Sequence, residues 1–325
     1  MAEDLPDPRA RELMLTGALA HVPGYRAGDP AIETAPMAGG GSVNRSYSIS
    51  TPAGQFVMRF SDTTDAWLVS DRSVERELHG IAAAAGIAPR IVHADSRDRW
   101  LITELTAGRL WKDADFANPA RLRRLGGTLR QLHGLAAPAA GRFDLLAALS
   151  GYLRRIANRR ASDRTPPTIP GGGSVEGSNL STQTLASYVQ AAAVAWQVSG
   201  GADRPVAILH HDLHASNIIE GSRGLQLIDW ECAAVSDPLL DIACILSYYA
   251  SARPHAAVLL QESGLEDITR RQLAAAVWLF DLHTYLWYRE RRARLLPADS
   301  ELRAEQRLAG RLPAGLERWQ SLISS

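Results

Sequence analysis

The period of hydrophobic and polar positions changes partway along the chain. Between residues 36 and 60 the segment MAGGGSVN is glycine-rich, SYSIS alternates, Pro52-Ala53-Gly54 reads as a turn, and QFVMRF alternates again. Strict alternation around tight turns predicts an antiparallel meander of strand, tight loop, strand, turn, strand. A short helix is predicted over 7–20, with Pro8 near its start. A second helix is predicted over 70–85: Ser70 or Asp71 caps it, Glu75 and Glu77 fall in its early turns, and Gly86 stops it. Short apolar runs at 91–94 and 100–105 predict two more strands, and Gly108 breaks the pattern.

Beyond that break the spacing becomes helical. Over 118–135 apolar residues recur at 122, 125, 129 and 132, three or four apart. Further helices are predicted over 144–159, 184–198, 238–250, 255–263, 268–294 and 298–322. Residues 162–182 are rich in Pro, Gly and Ser and read as a surface loop, since helical texture resumes after them. An apolar run at 206–209 leads into the polar HHDLHASN, and a small hairpin follows around residues 221–224. No internal repeat is present. The expected fold class is α+β. A small antiparallel β lobe spans 1–105, a connector lies near 104–108, and a larger, mainly helical lobe spans 106–325.

Composition narrows the function. The chain has 325 residues, 46 % hydrophobic and 22 % charged, ordinary for a globular protein. Lys+Arg and Asp+Glu are both 35, so the basic excess of a phosphate-neutralising nucleic-acid binder is missing. Lys112 is the one lysine, which leaves any lysine-dependent mechanism a single candidate. Two cysteines, Cys232 and Cys244, exclude a disulfide framework and a four-cysteine zinc site. The acidic, Pro-broken start lacks the apolar core of a signal peptide, and no run approaches the roughly 18 apolar residues of a membrane span. These features predict a cytoplasmic protein with no nucleic-acid partner and no membrane insertion.

The chemistry concentrates in HHDLHASNII and LQLIDWE. Phosphoryl transfer from Mg-ATP needs a carboxylate to orient the nucleophile's proton and hard oxygen ligands for magnesium. Asp212 suits the first role; Asn217, five residues on, and Asp229, at a strand end, suit the second. A zinc site on His210, His211 and His214 competes. Two zinc-binding histidines four apart need a helix to share a face, and these follow a strand into a loop. His210 and His214 are therefore read as hydrogen-bonding scaffolds of that loop.

The string His210–Asn217, with Ile228-Asp229-Trp230-Glu231 and Asp237-Pro238-Leu239-Leu240-Asp241-Ile242-Ala243, resembles the choline/ethanolamine kinase and aminoglycoside phosphotransferase superfamily, nearest its bacterial choline kinase and thiamine kinase relatives. The resemblance spans roughly residues 36–290 and implies a protein-kinase-like bilobal fold with ATP and Mg2+ as cofactors. It places Gly40, Gly41, Ser42 and Asn44 in a phosphate-covering loop, where backbone N–H groups approach the nucleotide. It gives Arg59 the grip on the α- and β-phosphates, held by a glutamate on the following helix. Glu77 aligns best for that role and Glu75 is the fallback. Backbone groups near Glu104 and Thr106 would read the adenine edge, and Asp241 would brace the catalytic loop.

The acceptor is expected to be a small cationic alcohol. On a helix, Trp278, Asp281, Tyr285 and Tyr288 share one face, and aromatic rings beside a carboxylate attract an ammonium group. Glu231 would add negative charge at the substrate end. Choline or ethanolamine lead. A thiamine kinase, an aminoglycoside-type enzyme and a non-catalytic nucleotide- or ligand-binding protein are the alternatives. A protein kinase is disfavoured, since IDWE stands in place of Asp-Phe-Gly.

Overall fold

Alternating side chains on successive strands build the first sheet. The computed structural model describes residues 15–29, 33–37, 44–61, 71–162, 180–292 and 298–322. The chain divides into two units, Met1–Trp111 with Ser216–Cys232, and Lys112–Ala215 with Ala233–Ser325. In the first unit β1 (Glu33–Pro36), β2 (Asn44–Thr51), β3 (Gly54–Ser61), β4 (Ile91–Ala94) and β5 (Trp100–Glu104) form an antiparallel sheet in the order β1-β2-β3-β5-β4. Phe56 and Met58 of β3 are buried together with Ile49, Trp100 and Ile102, against Ala18, Leu19 and Val22. Period-two alternation puts Arg59 on the opposite side of β3. Of the helix expected over 7–20, residues 15–19 are helical and 7–14 lie outside the described residues.

Helix α1 (Arg72–Ala84) starts where Asp71 accepts the Ser73 N–H at 2.8 Å. Gly86, at φ +78°, follows its end. Its buried residues are Glu75, Leu78, His79 and Ala82, whose spacing defines a single face. A second sheet joins β6 (Arg109–Leu110) to β8 (Ile218–Gly221) and β9 (Gly224–Leu227), in the order β6-β8-β9. Gly108 permits this junction: a Cβ there would stand 2.6 Å from the Glu220 carbonyl oxygen. The β8–β9 hairpin is tied into the first unit by Trp111 N–H to Ile218 O at 2.9 Å and Leu227 N–H to Ile87 O at 2.7 Å. Those bonds account for a unit ending at Trp111, not at residue 105, and for a first unit that takes in 216–232. The sequence pattern missed β6 because two residues show no period.

The second unit is helical: α2 (Pro119–His133), α3 (Leu145–Ser162), α4 (Thr182–Ser199), α5 (Leu239–Tyr248), α6 (Ala256–Ser263), α7 (Arg270–Arg292) and α8 (Asp299–Ser321). Strand β7 (Ala207–Leu209) pairs antiparallel with β10 (Ala234–Ser236). Helix α7 packs against α3, α4, α5 and α8, and its Leu279, Leu282 and Leu286 sit in one core with Leu149, Leu185, Leu240 and Leu312. The proline- and glycine-rich segment expected as a loop lies, over 163–179, outside the described residues. Among the described residues no helix is long and apolar enough to cross a membrane.

Candidate active site

The charged centre of the first unit is assembled by β3, α1 and the open end of the β8–β9 hairpin. Arg59 leaves β3 on the face where α1 presents Glu75. Its Nη2 pairs with Glu75 Oε1, and its Nη1 donates to Asp229 Oδ1 at 3.0 Å. Glu75 is 1 % exposed. Burial alone would lower the Arg59 pKa, but Glu75, Asp229 and Glu231 hold it above its ordinary value. Burial would likewise raise the Glu75 carboxyl, and the Arg59 and Arg72 guanidiniums bring it below its usual range instead. Arg72 donates to Glu75 Oε2 at 2.6 Å and stands 3.5 Å from Glu231 Oε2.

These contacts correct one expectation. Glu77 does not hold Arg59. It lies two residues past Glu75, on the exposed side of α1, because the buried face runs through 75, 78, 79 and 82. Glu231, expected to add negative charge at the substrate end, faces Arg72 at 3.5 Å. The hairpin does bring the other two candidates together. Ile218 pairs with Leu227, and the Ile228 N–H bonds to the Asn217 carbonyl at 2.9 Å, so Asn217 and Asp229 leave the same end of one ladder. Asp229 adopts φ +63°, a conformation uncommon for a residue with a side chain. One amide and one carboxylate oxygen fit a hard divalent cation that keeps phosphate and water as further ligands.

In the second unit, α5 holds the loop that follows β7. Asp241 is buried and accepts the His211 N–H at 2.8 Å and the His210 N–H at 3.2 Å; His133 Nε2 adds a third contact at 3.0 Å. Burial would raise the Asp241 pKa, yet His133 and the loop amides hold it low. One turn on, Cys244 Sγ accepts the Leu213 N–H at 3.3 Å. Past the helix end, the Tyr249 hydroxyl accepts the Ala215 N–H at 2.7 Å. Asp212 leaves this braced backbone with its carboxylate 3.4 Å from the Tyr248 hydroxyl and 3.5 Å from His214 Nε2. His214 stacks on Tyr248 at 3.9 Å. His211, at φ +65°, turns its ring among Phe143, Phe280 and His283. The His210 and His211 backbone is thus held by Asp241, and the His214 ring by Tyr248. Among the described residues no three His, Cys, Asp or Glu are grouped to hold a metal, so nothing there supports the zinc alternative.

Most of the aromatic face expected on α7 is buried. Trp278, Asp281 and Tyr285 do share a face, but it points into the core. Trp278 Nε1 donates to Leu312 O at 3.0 Å and Tyr285 accepts from Arg289 at 2.8 Å. Asp281 accepts from Ser247 and Arg311, and burial lifts its pKa despite them. Phe280, on another side of α7, meets Tyr248 edge-on at 5.7 Å. Tyr288 is half-buried beside Trp287; burial, then the charges of Glu301 and Asp212, push its pKa up to about 12. The aromatic groups nearest Asp212 in its own unit are therefore Tyr248 and His214, with Phe280 behind them. The spacing of Asp241, Cys244 and Tyr248 along one helix was the available signal for Tyr248.

Gly40, Gly41 and Ser42 lie outside the described residues, as does the Asn44 side chain, although the Asn44 backbone pairs with Ser61. At the connector, Arg90 holds the Glu104 side chain at 2.7 Å, and the Thr106 hydroxyl donates to Gln226 at 2.6 Å. The Glu104 and Leu105 N–H groups bond to Arg90 O and Gln55 O.

A model of the phosphotransferase enzyme family (APH) matches residues 35–276. No curated protein sequence matches the chain. Among solved structures it is similar to a choline/ethanolamine kinase family protein from Mesorhizobium loti, at 21 % identity and a TM-score of 0.70, covering 94 % of this chain and 95 % of that one. It is similar to the choline kinase LicA from Streptococcus pneumoniae, at 16 % identity and a TM-score of 0.72, covering 94 % and 99 %. A spectinomycin phosphotransferase in complex with ADP and spectinomycin matches at 12 % identity and a TM-score of 0.56, covering 87 % and 92 %. At these identities the likeness shows the fold, and the α+β, kinase-like architecture expected from the sequence is the one observed.

Proposed function

Because the chain belongs to the phosphotransferase enzyme family, we propose that it transfers the γ-phosphoryl group of ATP to the hydroxyl of a small cationic alcohol, choline or ethanolamine ahead of thiamine and aminoglycosides. The observation that carries this reading is Arg59 held between a buried glutamate and Asp229, at the hairpin end that also bears Asn217. Arg59 grips the phosphates through its forked N–H groups. Backbone N–H groups of Gly40, Gly41 and Ser42, with Asn44, cover them, and main-chain groups near Glu104 and Thr106 meet the adenine. Asn217 and Asp229 would hold magnesium through their side-chain oxygens, and the ion would neutralise phosphate charge. Asp212 orients the acceptor hydroxyl and accepts its proton as the oxygen attacks. Tyr248 and His214 fix the Asp212 carboxylate, so the attacking oxygen meets a preset acceptor.

The cationic acceptor is supported by the rings around Asp212. Tyr248, whose hydroxyl lies 3.4 Å from Asp212, and the half-buried Tyr288 offer π faces in the same unit as the carboxylate, and a good ring contact to an ammonium group contributes about 0.5–2 kcal/mol. The test is ATP consumption against choline, ethanolamine, thiamine, an aminoglycoside and neutral sugars. Turnover with choline or ethanolamine is the expected result. Nucleotide binding without turnover on any alcohol would make the chain a binding protein, and turnover confined to neutral alcohols would remove the cation site.

A further inference from the structure

The segment that carries Asp229 is fastened to α1 by more than the Arg59 bridge. Arg72, in the first turn of α1, faces Glu231 at 3.5 Å while donating to Glu75 at 2.6 Å. His79, two turns along, stacks on Trp230 with ring centroids 5.8 Å apart and planes 23° apart. The loop after α1 bonds to the strand that precedes the segment, Leu227 N–H to Ile87 O at 2.7 Å. Trp230 is fully buried, and its indole N–H returns to Leu227 O at 2.9 Å. Asp229 stands between these anchors in a left-handed conformation. Such a conformation persists in a residue with a side chain only where its surroundings determine it more than once.

Arg59 bonds to Asp229 directly, so that contact is open to any anion or cation competing for either group. The Arg72–Glu231 contact involves neither group, yet acts on the residue two positions after Asp229. We infer that Arg72 is a positioning residue for Asp229. Through Glu231 it latches the 229–232 segment to α1, and through Glu75 it fixes that latch to the carboxylate that orients Arg59. The inference rests on the proposed function for its consequence, a preset oxygen ligand for Mg-nucleotide, but the latch itself is a property of the ligand-free protein.

The experiment separates the two. Arg72→Gln, Glu231→Gln, the double variant and Arg72→Lys are compared with the wild-type chain. Amide hydrogen exchange over residues 229–232 is followed without ligand, and the affinity for Mg2+ with a non-hydrolysable ATP analogue is measured by calorimetry. Each single Gln variant is expected to speed exchange of that segment by about ten-fold. Each is expected to weaken the Mg-analogue complex by about ten-fold, the scale on which groups that orient a metal's ligands act. The double variant is expected to lie within about two-fold of the worse single, because one interaction has been removed twice. Arg72→Lys is expected to recover most of both losses. Unchanged exchange in Glu231→Gln, or single effects that multiply in the double variant, overturns the latch. If Arg72→Gln does not fold, Glu231→Gln alone decides, since it leaves the Arg72–Glu75 contact in place. A wild-type chain that fails to bind the Mg-analogue refutes the functional reading, and the exchange comparison still decides the latch.

Discussion

Replacing Glu75 and Glu77, one at a time, by glutamine tests the assignment of the Arg59 partner. Both changes keep side-chain volume and remove one negative charge from the same helix. Glu75 is 1 % exposed and lies between two guanidiniums, with Nη2 of Arg59 on one oxygen and Nη1 of Arg72 on the other. A hydrogen bond to a charged group contributes about 1.5–3 kcal/mol and a neutral one about 0.5–1.5, so weakening two of them costs about 2–3 kcal/mol. Breaking a buried pair outright would cost about 3–5 kcal/mol. Asp229 still compensates Arg59, and Glu231 still faces Arg72, which keeps the loss near about 2 kcal/mol. Because the same contacts orient Arg59, kcat/KM for ATP is expected to fall as well, by up to about 30-fold were the whole of that energy lost from the transition state. Glu77→Gln changes an exposed side chain and stays within about 0.5 kcal/mol, a factor of about two. Steady-state kinetics at varied ATP, with urea unfolding alongside, reads both. The pH dependence gives a further check. The Glu75 pKa is lowered in the folded chain, so its stabilising charge is complete above the ordinary value of 4.5 and is lost as pH falls through the lower folded value. Glu75→Gln lacks that acid limb. Equal losses in the two variants, or a larger one in Glu77→Gln, would falsify the pairing.

Asp212→Asn is expected to lower kcat by at least about 100-fold, the scale of general-base assistance, with an unchanged circular dichroism spectrum; wild-type turnover would remove Asp212 from the chemistry. Tyr248→Ala is expected to raise KM for choline, while Trp278→Ala costs about 3–5 kcal/mol of stability with KM unchanged in the folded fraction; the reverse pattern restores the inner face as the substrate site. Burial, then His211, holds the His283 pKa at about 3, against 6.5 unfolded. Its neutral form therefore supports the fold fully above pH 6.5, and stability falls by about 1.4 kcal/mol for each pH unit below that, down to about 3. His283→Phe should flatten this slope in urea titrations between pH 6.5 and 5, and an unaltered slope refutes the assignment.

The sequence carried the elements and the motif loops well, because long helices and paired strands impose periods that survive any tertiary context. It carried less about which way a face turns. On α1 the helical wheel through Leu78 and Ala82 already selects Glu75; counting back from Gly86 selects Glu77, and loop distance says nothing about facing. On α7 two aromatic stripes run along one helix that is buried almost all round, so period alone cannot tell which residues are open to a ligand. What decides it is Arg311 and Leu312 on α8 and Ser247 on α5, partners far away in the chain. Glu231 is a similar case, since its neighbour Arg72 lies more than 150 residues earlier.

The bracing of the loop after β7 by α5 has a consequence for how the molecule opens. Loops normally exchange their amide protons by small local excursions. Here the N–H groups of His210, His211, Leu213 and Ala215 are held by Asp241, Cys244 and Tyr249. Residues Leu239 to Ser247 of α5 are all buried. Freeing the loop therefore means breaking contacts with a helix that cannot itself fray into solvent. The loop belongs energetically to the helical core: it should melt with that core and no earlier, and Asp212 keeps its place for as long as the second unit stays folded.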